Sequence, residues 1–279
     1  MNCFCEPKDI KPKSGKLKLL NDGNTELIRI VHEICKKYNL KYWLSYGSLL
    51  GAIRHNAPIP WDYDADIAMP REDYNKFFDV IEKELKDTEV KVYGVSEILP
   101  FRENVIILTN KTGEEYLNLD IVPMDIIHVD KSKKENTILN IIKEAENYYK
   151  AVFPREKHIT SQGEIKEYNK KINSFIEKLK ANNLEENNFV ARLIPHNRDN
   201  DEYCDFNDIF PLREVQYGEY KFFVPNNFEV VLKQSYGNSY LEFPPPSAFN
   251  MNDVKIWIDK FEVDVAKEIL SNLRKIKID

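Results

Sequence analysis

The chain has 279 residues, 42% hydrophobic and 31% charged, with both signs interspersed; this supplies the core of one large domain and argues against disorder away from the ends. A net charge of −6 and a pI near 5.6 give no broad basic face for nucleic acid. No run approaches the roughly 18 apolar residues of a membrane-spanning helix and the first twenty residues lack a signal-peptide core, so the expectation is a soluble, cytoplasmic protein.

Residues 1–20 read as a loosely attached leader and 21–279 as the folded domain. A helix is predicted over 24–40, where Leu27, Ile30, Val31 and Ile34 recur at helical spacing; Asn24 or Thr25 is its candidate cap. The aromatic KYWLSY (41–46) predicts a strand, and GSLLGAIRH (47–55) a short helix entered through Gly47 and Ser48. A further helix over 71–87 places Tyr74, Phe77, Phe78, Ile81 and Leu85 on one face. Strands are expected at 89–95, 104–110 and 115–124. From Ser132 to Leu184 the chain is rich in Lys, Glu, Asn and Ile, which predicts two helices forming an insertion or second lobe. Arg213–Tyr217 and Tyr220–Val224 form a hairpin turning at Gly218 and Glu219. A helix over 228–237 ends near Gly237, FPPPS (243–247) interrupts regular structure, and an amphipathic helix occupies 252–275. The fold class is α/β (α+β), a mixed sheet flanked by helices.

Cys3, Cys5, Cys35 and Cys204 do not make a disulfide framework in a chain of this length. The CxC at Cys3 and Cys5 lacks partners for a metal site and reads as reduced thiols.

The chemistry concentrates in PWDYDADIAM (60–69). If Asp62–Ile67 enters a strand, Asp62, Asp64 and Asp66 project to one face, with Tyr63, Ala65 and Ile67 toward a core. Three carboxylates on one face repel one another unless water or a cation offsets them. A hard divalent cation, Mg²⁺ or Mn²⁺, fits all-oxygen ligands. An EF-hand is excluded, because its sixth position requires Gly and here holds Ile67. Upstream, Gly47 and Ser48 open a helix, and free N–H groups at a helix start bind phosphate. Phosphate donors beside metal ligands read as a site for a nucleotide with its metal.

GSLLGAIRH, IPWDYDADIAMPREDY, NLDIVPMD and the tail from DIFPLREV to FPPP resemble the LicD/fukutin family of the nucleotidyltransferase superfamily, over roughly residues 24–246; about 130–200 carries no such likeness. The resemblance implies a nucleotidyltransferase-like sheet and metal-assisted phosphotransfer; no nucleophilic-catalysis constellation stands out in the sequence, so single-step displacement by an acceptor hydroxyl is the simpler expectation. By the resemblance, Asp64 and Asp66 match the metal-binding pair and Asp120 the third carboxylate, which shares the metal or takes the acceptor's proton. Asp62 would orient the others. Arg54 is placed either on a phosphate or in a surface ion pair. His55 is a weaker candidate, and Asp125 reads as a turn cap.

The best-known family reaction moves phosphocholine from CDP-choline to a glycan hydroxyl and releases CMP. Another CDP-linked phospho-substituent, such as ribitol phosphate, phosphoethanolamine or a sugar phosphate, is the alternative, with a non-catalytic nucleotide-binding module as the third reading. A choline cage needs aromatics, for which Trp61, Tyr63, Tyr217, Tyr236 and Tyr240 are candidates. The acceptor, lipopolysaccharide or teichoic acid among others, is left open.

Overall fold

One long strand, β5 (Glu115–His128), organises the sheet. Leu117, Leu119 and Ile121 are buried in the main core, whereas Val122 belongs to a smaller apolar cluster. β2 (Ala65–Pro70) runs parallel to it and divides in the same way, with Ala65, Ile67 and Met69 in the main core and Ala68 in the smaller cluster. This is the two-residue period of a strand covered on both faces. The computed structural model describes residues 15–88, 90–93, 105–109, 115–128, 134–152, 170, 174, 188–193, 203–243 and 262–278.

β1 (Trp43–Leu44) pairs antiparallel with β2. β4 (Val105–Thr109) and β3 (Val90–Tyr93) extend the other edge, giving the order β1-β2-β5-β4-β3. The second half of β5 pairs with β6 (Asn188–Ala191), which pairs with β7 (Tyr203–Asp205). The mixed, helix-flanked sheet expected from the sequence is present. β6 and β7 were not legible, because three or four residues show too little alternation.

Helices α1 (Lys16–Tyr38) and α3 (Arg71–Leu85) pack against β2 and β5. α1 starts at Lys16, well before the predicted 24, and takes in residues assigned to the leader; Leu20 is 1% exposed. Residues 1–14 lie outside the described residues. Gly23 permits the close approach of α1 to the sheet, since a Cβ there would lie 2.6 Å from Leu117 Cδ1. Asn24 is therefore no cap but a helix-interior residue, 2% exposed, whose side chain bonds to the sheet side of the fold.

Between β1 and β2 lies α2 (Tyr46–His55). After β5 comes α4 (Lys134–Val152), the first of the two helices expected at 132–184; of the second, only residues 170 and 174 are described, both helical. A short turn of helix, α5 (Phe206–Ile209), leads to the hairpin of β8 (Arg213–Tyr217) and β9 (Tyr220–Val224). That hairpin turns at Gly218, φ 61°, as predicted. α6 (Phe228–Tyr236) ends at Gly237, φ 79°, also as predicted. Residues 244–261, with most of FPPPS and the start of the last predicted helix, lie outside the described residues. The helix itself is α7 (Val263–Lys275).

Two buried charge clusters fix this arrangement. Glu26, 2% exposed, accepts from Arg29 Nε (2.6 Å) and from Tyr220 Oη (2.8 Å), while Arg29 Nη2 donates to the Leu273 carbonyl (2.8 Å). α1, the hairpin and α7 are thereby joined. Asp125, expected as a turn cap, is instead buried in β5 and accepts from Arg71 Nε (3.2 Å) and Nη2 (2.9 Å) at the start of α3. Removing one partner leaves the other charge buried. Asp125→Ala is expected to destabilise the fold by about 3–5 kcal/mol, read from the midpoint of urea unfolding; a loss within experimental error would refute the assigned role.

Candidate active site

Asp66 and Asp120 are direct partners in the parallel β2–β5 ladder. Paired strands lie roughly 4.8 Å apart and their partner side chains share a face, so the two carboxylates stand side by side. That face is the one opposite the main core, as the burial of Ile67 and Ile121 on either side of the ladder requires.

The start of α2 is bonded to the same point. The Asp66 N–H donates to Ser48 Oγ (2.9 Å), and the Ser45 N–H donates to the Asp66 carbonyl (3.1 Å). Tyr46, the first residue of α2, has φ 41°, an uncommon conformation for a residue with a side chain, and its hydroxyl accepts from Arg192. Gly47 lies against the acids. A Cβ there would fall 2.5 Å from Asp62 Oδ2 and 3.9 Å from Asp66 Oδ2.

β2 begins at Ala65, so Asp62 and Asp64 precede the strand and are not placed by its alternation, contrary to the sequence reading. They lie in the turn and irregular stretch leading into β2, where the Asp62 N–H donates to the Ile59 carbonyl (3.1 Å) and Asp62 Oδ1 accepts from the Tyr63 N–H (3.2 Å). All four aspartates nonetheless line one cleft of ≈ 720 Å³, with Gly47 and Arg54. Among the described residues, no group of three or more His, Cys, Asp or Glu side chains is placed to hold a metal ion.

Ser48, expected to offer its N–H at the helix start, also uses its side chain. It is 3% exposed, and its hydroxyl serves Asp66 rather than the cleft. Tyr217, expected in an aromatic cage, is 2% exposed and lies behind the site. Burial, then the negative charge of Asp62, push its phenol far above the usual range, against a bond to Ser48. It is a neutral hydroxyl supporting α2.

The rest of the cleft wall is aromatic. Trp61, Tyr63, Tyr236 and Tyr240 line it, as do Tyr46 and Phe243, which the sequence reading did not select. Tyr46 had been absorbed into a predicted strand, and Phe243 adjoins a proline run that carries no periodicity. Arg54 makes no surface ion pair among the described residues. Its guanidinium lies 5.7 Å from the Trp61 ring and 5.5 Å from that of Phe243. Its Nη1 donates to the Tyr240 and Glu242 carbonyls (3.2 and 3.1 Å) and its Nε to His55 Nε2 (3.0 Å). Burial lowers its pKa, opposed by Tyr236 and Asp62. His55 contributes its ring to the same aromatic group, edge-on to Trp61 and Phe243.

Residues 39–160 match the family described as LicD/FKTN/FKRP, nucleotidyltransferase domain. The chain is 49% identical over 49 residues to lipopolysaccharide cholinephosphotransferase LicD of Haemophilus influenzae, covering 18% of each chain. It is 48% identical over 48 residues to ribitol 5-phosphate transferase FKRP of Homo sapiens, covering 17% of this chain and 10% of that one. An uncharacterized protein of Rickettsia prowazekii, RP689, is 48% identical over 48 residues, 17% of this chain and 18% of its own. The chain thus spans less than a fifth of the length of these relatives. The likeness read from the motifs is borne out over residues 39–160, the segment that matches this family.

Gly47→Ala would push the Asp62 carboxylate away from α2 without disturbing backbone contacts. The expected result is an unchanged thermal midpoint and at least ~tenfold weaker binding of CDP with Mg²⁺, about 1.4 kcal/mol, by titration calorimetry. Unchanged binding would show that the position of Asp62 does not matter.

Proposed function

We propose that this chain, as the carrier of a LicD/FKTN/FKRP nucleotidyltransferase domain, transfers a phospho-substituent from a CDP-linked donor to a hydroxyl of a glycan or glycoconjugate and releases CMP. The observation that carries the reading is the convergence of Asp62, Asp64, Asp66 and Asp120 on one cleft at the start of α2. In a single displacement, the acceptor oxygen bonds to the distal phosphorus of the donor, the bond from that phosphorus to CMP breaks, and the hydroxyl proton passes to a carboxylate.

The donor set, all carboxylate oxygen, suits Mg²⁺ or Mn²⁺, and Asp64, Asp66 and Asp120 are the residues proposed to hold the ion. When bound, the ion would offset the charge of the donor's diphosphate. The side chains need to rotate toward it, since none of them forms a ready three-ligand group as placed. Asp120 either shares the ion or takes the acceptor's proton. The bare Cα of Gly47 leaves room for the acids beside the first turn of α2, whose N–H groups suit a phosphate. Arg54 adds positive charge on the aromatic wall.

Phosphocholine from CDP-choline is the first reading of the donor. Trp61, Tyr63, Tyr236 and Tyr240 support it, because a trimethylammonium offers no N–H or O–H donor and is bound by aromatic faces. Arg54 favours the second reading, a polyol phosphate such as ribitol phosphate. Its own guanidinium faces Trp61 and Phe243, and buried hydroxyls need polar partners.

CMP release is followed with CDP-choline, CDP-ethanolamine or CDP-ribitol, Mg²⁺ and candidate glycans. Turnover is expected with CDP-choline; turnover with CDP-ribitol alone would replace the first reading by the second. Asp64→Ala and Asp66→Ala are each expected to abolish release while the thermal midpoint holds or rises, since carboxylate repulsion is relieved. Near-normal release by either variant at saturating Mg²⁺ would rule out metal-assisted transfer here.

A further inference from the structure

Register places Asp66 and Asp120, but the ladder begins at Ala65 and does not reach Asp62, Tyr63 or Asp64. Asn24 ties this turn to β5. Its Nδ2 donates to the Tyr63 carbonyl (2.9 Å), and its Oδ1 accepts from the Asn118 N–H (3.3 Å). Tyr63 is the residue between Asp62 and Asp64. Asn118 precedes Asp120 by two and lies on the same side of its strand. One buried amide therefore spans from the turn carrying half of the acidic set to the strand carrying the third carboxylate.

The choice of residue is informative. Asn is a mediocre helix former, and this one sits in mid-helix, buried, where an apolar side chain would pack without any polar requirement. Asn carries both a donor and an acceptor on one short stem. Those are the two groups that a backbone carbonyl and a backbone N–H, facing the same helix, require. We propose that Asn24 is a positioning residue that holds the Asp62–Asp64 turn at a fixed place relative to Asp120. It lies in α1, outside the segment 39–160 that matches the family. The inference rests on the acidic cleft being the working site.

The variants are Asn24→Asp, which keeps the acceptor for Asn118 but turns an oxygen toward the Tyr63 carbonyl, and Asn24→Ala, which removes both bonds. Asn21→Ala is the control. Asn21 is buried in the same helix, 1% exposed, and its Nδ2 makes no hydrogen bond among the described residues. All are studied in the full chain well below their thermal midpoints. The first measurement is hydrogen exchange over the peptide covering 61–66. The second is the Mn²⁺ concentration needed for CDP binding.

Faster exchange at 61–66 in both Asn24 variants, with α1 and the β2–β5 ladder from Ile67 onward unchanged, is expected, together with a Mn²⁺ requirement raised about tenfold, or 1.4 kcal/mol. Asn21→Ala should move neither. Wild-type exchange at 61–66, with or without a lower thermal midpoint, would make Asn24 an ordinary core residue and overturn the proposal. If the wild-type protein itself binds CDP without regard to Mn²⁺, the cation reading fails, and exchange alone decides the role of Asn24. Should Asn24→Ala not fold, Asn24→Asp carries the same two outcomes.

Discussion

The β2–β5 pairing is the constraint on which the rest of the site depends. It sets Asp66 beside Asp120 by register, and no side-chain choice elsewhere can separate them without breaking the ladder. Two adjacent carboxylates are a liability in a sheet, since like charges on paired positions disfavour the pairing. The fold accepts that liability at the end of the ladder, where Ala65 is the first residue of β2 and the cleft lies open beyond it. Further along, the same face carries Ala68, Val122 and Trp43 and is ordinary apolar core. One sheet face thus changes from apolar to acidic within two residues.

The ladder alone does not build the cleft. α2 is bonded to Asp66 through Ser48 and Ser45, and Tyr217 of the hairpin buries its hydroxyl behind Ser48. Arg54 near the end of α2 reaches the carbonyls of Tyr240 and Glu242, beyond α6. The hairpin docks back on this helix as well, the Gly218 N–H donating to the Asn56 carbonyl (2.7 Å). A helix of ten residues is therefore fixed at its start by a strand and at its end by segments far later in the chain, up to 188 positions away.

The sequence was most legible where local rules suffice. The hairpin announced itself through alternation and Gly218, and α6 through Gly237. Asp64 and Asp66 were legible because apolar flanks surround the acids, whereas Asp120 came from the family resemblance. Other features escaped for physical reasons. The start of α1 was hidden because Gly23 and Asn24 resemble a helix boundary, whereas Gly23 serves contact with Leu117 and Asn24 a bond to the turn at Tyr63. The Asp62–Asp64 segment alternates like a strand but pairs with no strand among the described residues. Tyr217 looks like any exposed tyrosine until its partner Ser48, 169 positions earlier, is brought beside it. Such long-range bonds leave no periodic trace.

The joint of Glu26, Arg29, Tyr220 and the Leu273 carbonyl has a consequence for how the protein is made. Arg29 and Leu273 are 244 positions apart. Contacts of such separation carry a large closure entropy and slow folding. A ribosome delivers α1 before α7, and the carbonyl that Arg29 needs arrives 244 positions after it. Until then Arg29 has only its partners within α1, Glu26 and Glu33, to bond. A translation pause before α7 would therefore leave this flank of α1 without the helix that packs on it.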